Sequence, residues 1–205
     1  MPRITPLDPK SSPLAKKFAE NTTQSMGFPA NSILTMAHWP ELAEAMGRLA
    51  GIVNFGESEL PVGIKRLVSH VSSRSSGCQY CIAHTGFQAT RSGGIESKKI
   101  EAAFEYESSP LFTDAERAAL RVAQAAGSVP NMVTDEDFEE LKQHFTDRQI
   151  VEMVAQIAIF GFLNRWNDTM ATELEQLPRQ FAENHLAKNG WEVGRHAGKV
   201  AEAVD

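Results

Sequence analysis

The spacing of apolar positions predicts helices through nearly all of the chain after residue 13. Apolar residues recur every three or four positions, and no segment shows the strict alternation of a half-buried strand. Glycine and proline separate the expected helices. These are residues 14–26, 32–37, 40–55, 61–74, 78–91, 97–106, 114–127, 135–144 and 147–174, with an amphipathic helix from Pro178. We therefore expect an all-α bundle of about eight helices.

Three capping motifs support the helix starts in the second half. In each, a threonine stands three residues before an acid or amide that can bond back to the threonine backbone. The pairs are Thr113 with Glu116, Thr134 with Asp137 and Thr146 with Gln149. The helix after Thr146 carries a segment, Ile150–Leu163, that is apolar nearly all round, and we expect it to be the central buried helix.

The chain divides into an arm, one domain and an extension. Residues 1–13 carry four prolines and are expected to form an extended N-terminal arm, which either wraps a neighbouring subunit or is disordered. Residues 14–180 form the helical domain. Residues 181–205 form a C-terminal helical extension that packs on the same domain or on a neighbouring subunit.

Composition narrows the class of protein. A net charge of -6 and a pI near 5.6 argue against a nucleic-acid partner. No apolar run reaches the roughly 18 residues of a membrane span, and the first residues lack a secretory apolar core. We expect a cytoplasmic protein with no membrane partner.

The two cysteines of the chain stand three residues apart, in Cys78-Gln79-Tyr80-Cys81. At the start of a helix, unpaired N–H groups stabilise a thiolate and lower its pKa. The spacing suits a dithiol that cycles to a disulfide. His84 follows Cys81 by three residues, about 60° around a helix, so it can act as a base or as an imidazolium partner.

Other interpretations of these residues stay open. A zinc site would use Cys78, Cys81 and His84, but the sequence offers no clear fourth ligand. The cysteines can also be an inert buried pair, and His84 can be a capping or core histidine. We expect no metal and no cofactor.

The stretch Ser69–Ala89, SHVSSRSSGCQYCIAHTGFQA, resembles the core motif of the carboxymuconolactone decarboxylase-like superfamily, in its AhpD-like alkylhydroperoxidase branch. The resemblance extends over roughly residues 35–180, through SPLFTDAERAALRVA (Ser109–Ala123) and FGFLNRWNDTMATELE (Phe160–Glu175). It implies an all-α fold assembled as dimers, trimers or hexamers, and peroxiredoxin-like chemistry at Cys78 and Cys81.

The resemblance also implies a proton relay, in which this sequence departs from the family. The family places a glutamate twelve residues before the first cysteine and a histidine four after the second, where this chain has Arg66 and Thr85. Arg66 cannot act as a base but could stabilise a thiolate by its charge. His84 lies one residue early, which moves it about 100° around the helix. Further relay candidates, none singled out by its spacing, are His70, Glu57 and Glu59.

The polar run Asn164–Asp168 follows the apolar segment and needs partners if it is buried. In one interpretation it lines the cavity over the dithiol, with Trp166 as a wall and Asn167 as a hydrogen-bond donor or acceptor. In the other, Arg165, Asp168 and their neighbours form a structural network between helices or subunits.

The first hypothesis is a thiol-dependent peroxidase with an external dithiol reductant. Cys81 attacks a hydroperoxide, Cys78 resolves, and His84 assists proton transfer. The second is a general thiol–disulfide oxidoreductase or redox sensor acting on protein or small-molecule disulfides. The third is a non-redox helical homo-oligomer that binds a small apolar ligand or a metal. The C-x-x-C argues against a lactone decarboxylase, because that branch generally does not rely on one.

Overall fold

The computed structural model describes residues 1–198, which contain ten α-helices, eight of them at least seven residues long, and no strand. The expected all-α class is confirmed. The helices are α1 (Pro13–Met26), α2 (Asn31–Met36), α3 (Pro40–Ala50), α4 (Val62–Ser75), α5 (Gln79–Ser92), α6 (Ser97–Glu101), α7 (Asp114–Gly127), α8 (Asp135–Lys142), α9 (Asp147–Met170) and α10 (Gln176–His185). A π-helical turn, Gly51–Phe55, extends α3.

The three capping boxes form as expected and begin α7, α8 and α9. In each, the threonine side chain accepts a backbone N–H while the third helical residue bonds back to the threonine backbone. These reciprocal bonds satisfy donors that a helix start otherwise leaves unpaired. Gly27 ends α1 in the left-handed conformation, with φ of 94°.

Helix α9 ends at Met170, four residues before the expected end. Ala171 adopts a left-handed backbone with φ of 49°, and the Thr172 N–H bonds back to the Asn167 carbonyl. This C-terminal turn reverses the chain and directs the residues that follow it towards α5.

The central helix is α4, so the expectation that Ile150–Leu163 would be central is wrong. All ten residues from Ile64 to Ser73 are buried, and α4 packs against α5, α7 and α9. Helix α9 instead packs through one side and leaves Val151, Val154 and Phe162 exposed. A helix that is apolar all round therefore lies at the surface of the single chain, and the expected homo-oligomer stays a prediction.

Both ends of the described chain pack on its own helices. The Arg3 N–H donates to the Met170 carbonyl and the Leu7 N–H to the Leu34 carbonyl, so the arm lies along α2 and the end of α9. Helix α10 crosses residue 180 and packs on α5. Residues 199–205 of the expected extension lie outside the described part. Within residues 1–198, no helix is both long and apolar enough to span a bilayer.

Candidate active site

The dithiol lies at the start of α5, where Cys78 is the N-cap. Gly77 has φ of 75°, and its left-handed turn leads the chain into the helix. The Cys81 N–H then donates to the Cys78 Sγ at 3.4 Å. Both cysteines are free thiols and are buried. The expectation that Cys78 begins the helix is confirmed.

The environment of Cys81 does not favour its thiolate. Burial raises the pKa of Cys81 well above its ordinary value, and the hydrogen bond and charge interaction with Cys78 raise it further. The amide of Asn167 opposes this by donating to the Cys81 Sγ at 3.6 Å. The expected lowering of the pKa by the helix start is therefore wrong for Cys81, because burial outweighs it. Attack by Cys81 then requires a base nearby.

A cavity of about 700 Å³ opens over the outer face of α5. Cys81, His84 and Thr85 line its floor, whereas Cys78 is not among its lining residues. Helices α4 and α9 contribute Arg66 and Asn167, and α1, α2, α3 and the π-helical turn form the remaining wall. One sulfur of the dithiol therefore faces the cavity, and the other lies behind it.

Glu175 fixes the orientation of His84. One carboxylate oxygen, Oε2, lies 2.7 Å from the His84 Nε2. The other, Oε1, accepts from the Tyr80 hydroxyl at 2.9 Å and from the Asn31 N–H at 2.6 Å. The Tyr80 ring stacks on the imidazole with centroids 4.2 Å apart. All of these side chains are buried or nearly so.

This arrangement determines the tautomer of a neutral His84. Because a carboxylate only accepts, the proton of neutral His84 lies on Nε2. Nδ1 then carries the lone pair and has no hydrogen-bond partner within residues 1–198. His84 is thus an oriented base that lines the same cavity as Cys81.

Sequence reasoning missed Glu175. The residue is 91 positions from His84 and reaches it only because the chain reverses after α9. No local spacing connects the two residues. The only indication in the sequence was that Glu175 ends the Phe160–Glu175 segment that carries the family resemblance.

Thr85, in the cavity floor, and His70, behind it, form a buried pair. The Thr85 hydroxyl donates to the Cys81 carbonyl at 2.7 Å, and the His70 Nδ1 lies 3.0 Å from the same hydroxyl. Burial lowers the pKa of His70 to about 4, so this histidine is neutral near pH 7. His70 does not line the cavity. The pair therefore holds the dithiol helix in place, and His70 stays outside the cavity, one hydrogen bond from the Thr85 hydroxyl that lines it.

Asn167 and Trp166, which are adjacent on α9, face different ways. Asn167 is buried, lines the cavity and contacts Cys81, in agreement with its expected place over the dithiol. Trp166 instead stacks on Phe162, with centroids 6.1 Å apart, in a separate surface groove. The expectation that Trp166 forms a wall of the cavity is wrong, since the helix turns it about 100° away from Asn167.

The charged residues of the same segment make structural contacts. Arg165 donates to the Gly161 carbonyl one turn earlier, at 3.1 Å. Asp168 lies 3.3 Å from the Arg195 guanidinium and 3.6 Å from the His196 ring. Among residues 1–198, no group of three His, Cys, Asp or Glu side chains is arranged to hold a metal ion.

The sequence profile of the Carboxymuconolactone decarboxylase family matches residues 40–125. The structure is similar to that of the debrominase Bmp8, of which a variant was solved in complex with 2,3,4-tribromopyrrole. The TM-score is 0.81 at 35% identity, over 88% of this chain and 96% of that one. The uncharacterised protein YnjA of Escherichia coli K12 is 28% identical over 151 residues, which are 72% of this chain and 82% of YnjA.

A third similarity concerns the fold alone. The alkylhydroperoxidase AhpD core of an uncharacterised peroxidase-related protein from Ralstonia eutropha JMP134 matches with a TM-score of 0.74 at 22% identity. That match covers 88% of this chain and 94% of the other. Together with the profile match and the C-x-x-C site, these similarities show that the chain belongs to the carboxymuconolactone decarboxylase-like superfamily, with an AhpD-like fold.

Proposed function

We propose that this protein is a thiol-dependent peroxidase of the alkylhydroperoxidase type, which reduces organic hydroperoxides through a Cys78–Cys81 dithiol–disulfide cycle. The supporting observation is the placement of the two sulfurs. Cys81 lines the cavity together with the oriented His84, and Cys78 lies one helical turn earlier, outside the lining. The first can meet a substrate while the second stays available to resolve it.

The oxidation of the dithiol proceeds in two steps. His84 accepts the Cys81 proton at Nδ1, and the thiolate attacks the terminal oxygen of the hydroperoxide. The O–O bond breaks, the alkoxide takes from His84 the proton that Cys81 gave up and leaves as an alcohol, and Cys81 becomes a sulfenic acid. The Cys78 sulfur then attacks the Cys81 sulfur, the hydroxyl group takes the Cys78 proton and leaves as water, and a disulfide forms. An external dithiol returns two electrons and two protons.

The cavity favours an organic substrate over hydrogen peroxide. Its volume of about 700 Å³ lies within the usual range for small-molecule sites, which is about 300–1,000 Å³. Much of its wall is apolar, with Phe18, Met46, Phe160 and Leu163 among the lining residues. Hydrogen peroxide would leave most of this apolar surface uncovered.

The similarity to a debrominase favours reductive dehalogenation as a second candidate. The same two thiols would carry out this reaction. The Cys81 thiolate attacks the halogen, the carbon takes a proton, and Cys78 displaces halide from the resulting sulfenyl halide to form the disulfide. Reduction of small disulfides, the hypothesis of a thiol–disulfide oxidoreductase, stays a further prediction.

Turnover assays separate these reactions. Purified protein is incubated with dithiothreitol and either cumene hydroperoxide or 2,3,4-tribromopyrrole, and the alcohol or the released bromide is measured. We expect enzyme-dependent formation of the alcohol, which Cys81→Ser abolishes. In Cys78→Ser we expect a sulfenic acid on Cys81 that reacts with dimedone. Bromide release alone would favour the second candidate, and a fully active Cys81→Ser protein would rule out both.

A further inference from the structure

Arg66 places an unpaired positive charge in the wall of the cavity. Its side chain extends from α4, the central helix, and is only 7% exposed. Its buried Nε has no hydrogen-bond partner in the described part of the chain. Within residues 1–198, the guanidinium makes no ion pair with a carboxylate and no hydrogen bond to either sulfur of the dithiol. The guanidinium borders the cavity.

Such a charge is costly without a partner. Transfer of an ion from water into a protein interior has an effective penalty of several kcal/mol, which only a counter-charge and hydrogen bonds offset. Burial lowers the pKa of Arg66, but guanidinium stays protonated in proteins. The cavity therefore carries a full positive charge next to an apolar wall.

The surrounding residues leave space for this side chain. A Cβ at Gly93 would lie 2.7 Å from the Arg66 Cγ and 2.7 Å from the Ala89 carbonyl oxygen, so only glycine leaves room for the arginine stem there. The Phe55 ring, from the π-helical turn, lies 5.8 Å from the Arg66 Cζ and gives a weak cation–π contact. These contacts position the guanidinium without neutralising it.

The acids near the cavity are already paired. Glu44 lies 3.9 Å from Lys17 at the more exposed part of the wall. Glu175 accepts from Tyr80 and Asn31 and contacts His84. Within residues 1–198 no carboxylate pairs with Arg66, so the carboxylate of a bound ligand would supply the counter-charge that the resting site lacks.

We propose that the cavity binds an apolar organic carboxylate, whose carboxylate pairs with Arg66 while its apolar body lies against the cavity wall. The planar guanidinium matches a carboxylate through two parallel N–H···O bonds. The identity of the ligand group that reacts at Cys81 rests on the proposed function, in which Cys81 reduces a hydroperoxide. The substrate would then be a hydroperoxide that also carries a carboxylate.

The test uses a ligand pair that cannot be reduced, so that binding is separate from turnover. 3-Phenylpropanoate and its methyl ester are titrated into the wild-type protein by calorimetry. Hydrogen bonds to charged groups contribute about 1.5–3 kcal/mol, so we expect at least about tenfold tighter binding of the acid. Equal affinity for the acid and the ester, or failure of both to bind, would overturn the proposal without any variant.

Variants test whether Arg66 causes the preference for the acid over the ester. In Arg66→Gln we expect the preference for the acid to fall to about twofold or less, with part of it kept in Arg66→Lys. Arg165→Gln is the matched control, because it removes the same charge from an exposed residue outside the cavity. An unchanged preference in Arg66→Gln would contradict the proposal. Preferred binding of the acid in a protein that reduces no hydroperoxide would reject the peroxidase and keep the carboxylate site.

Discussion

Replacement of Glu175 by glutamine is expected to reverse the tautomer of His84 while leaving the shape of the site unchanged. The Asn31 N–H donates to the Glu175 Oε1 at 2.6 Å and has no other acceptor within residues 1–198. The oxygen of the new amide must therefore occupy this position, which places the amide NH₂ against the His84 Nε2. Since the NH₂ group is a donor, Nε2 must accept, and the proton of neutral His84 moves to Nδ1.

The consequence is loss of the base in the cavity. With a proton on Nδ1, neutral His84 can no longer take the proton of Cys81, whose pKa is raised by burial. General-base catalysis typically contributes about 10²–10⁴-fold to a rate. We expect a decrease of this size in the rate at which hydroperoxide oxidises the protein, equivalent to about 2.7–5.4 kcal/mol.

The effect on stability is expected to be smaller. The bonds from Tyr80 and Asn31 survive, and a neutral bond replaces the charge-assisted one to His84. This difference is about 1–2 kcal/mol, or a fall in Tm of roughly 2–8 °C for a chain of this size. Loss of activity at a temperature well below the Tm then reports on the chemistry and not on unfolding.

Two measurements check this prediction. Stopped-flow oxidation by cumene hydroperoxide gives the rate, and ¹⁵N shifts of the His84 ring give the tautomer. Glu183→Gln is the control, because Glu183 is a half-exposed acid on α10 whose one ion pair within residues 1–198 is with Arg179. A Glu175→Gln protein that reacts within about threefold of wild type, with its proton still on Nε2, would refute the reasoning.

Three further changes have defined outcomes. Asn167→Ala removes the amide that donates to Cys81 and should raise the pH at which iodoacetamide alkylates this cysteine; an unchanged midpoint would argue against the contact. Cys78→Ser removes a sulfur that raises the pKa of Cys81, so the same midpoint should move down. His70 is buried and neutral with a pKa of about 4, so protonation below pH 6.5 favours the unfolded chain. The free energy of unfolding should therefore fall by up to about 3 kcal/mol between pH 6.5 and 4, and urea titrations should show a smaller fall for His70→Gln.

The local features of the fold were predictable because their causes are local. Apolar periodicity predicted the helices, and the threonine boxes placed the starts of α7, α8 and α9. The spacing of Cys78, Cys81 and His84 predicted that one helix carries all three residues, as the structure shows. Each of these inferences depends on residues within a single helix or its cap.

The features that escaped prediction depend on contacts between distant segments. Helix α4 is central although it contains Lys65, Arg66, Ser69 and His70, because several of its polar groups find partners inside the bundle. Sequence hydropathy cannot show those partners, so the more apolar α9 was expected in the centre.

The role of Glu175 also escaped prediction because it depends on a contact between distant segments. Its contact with His84 depends on the left-handed Ala171, an alanine in a conformation that the sequence gives no reason to expect. Only the folded chain shows that this reversal brings the carboxylate to α5.

The most direct test of the account is a thiol count on the intact protein. Reduced, metal-free protein is treated with one equivalent of cumene hydroperoxide, and its mass and free thiols are measured. We predict loss of both thiols with a decrease of about 2 Da, the mass of two hydrogen atoms, and a Cys78–Cys81 disulfide in the digested peptides. Two unreacted thiols at unchanged mass would contradict the proposed peroxidase cycle.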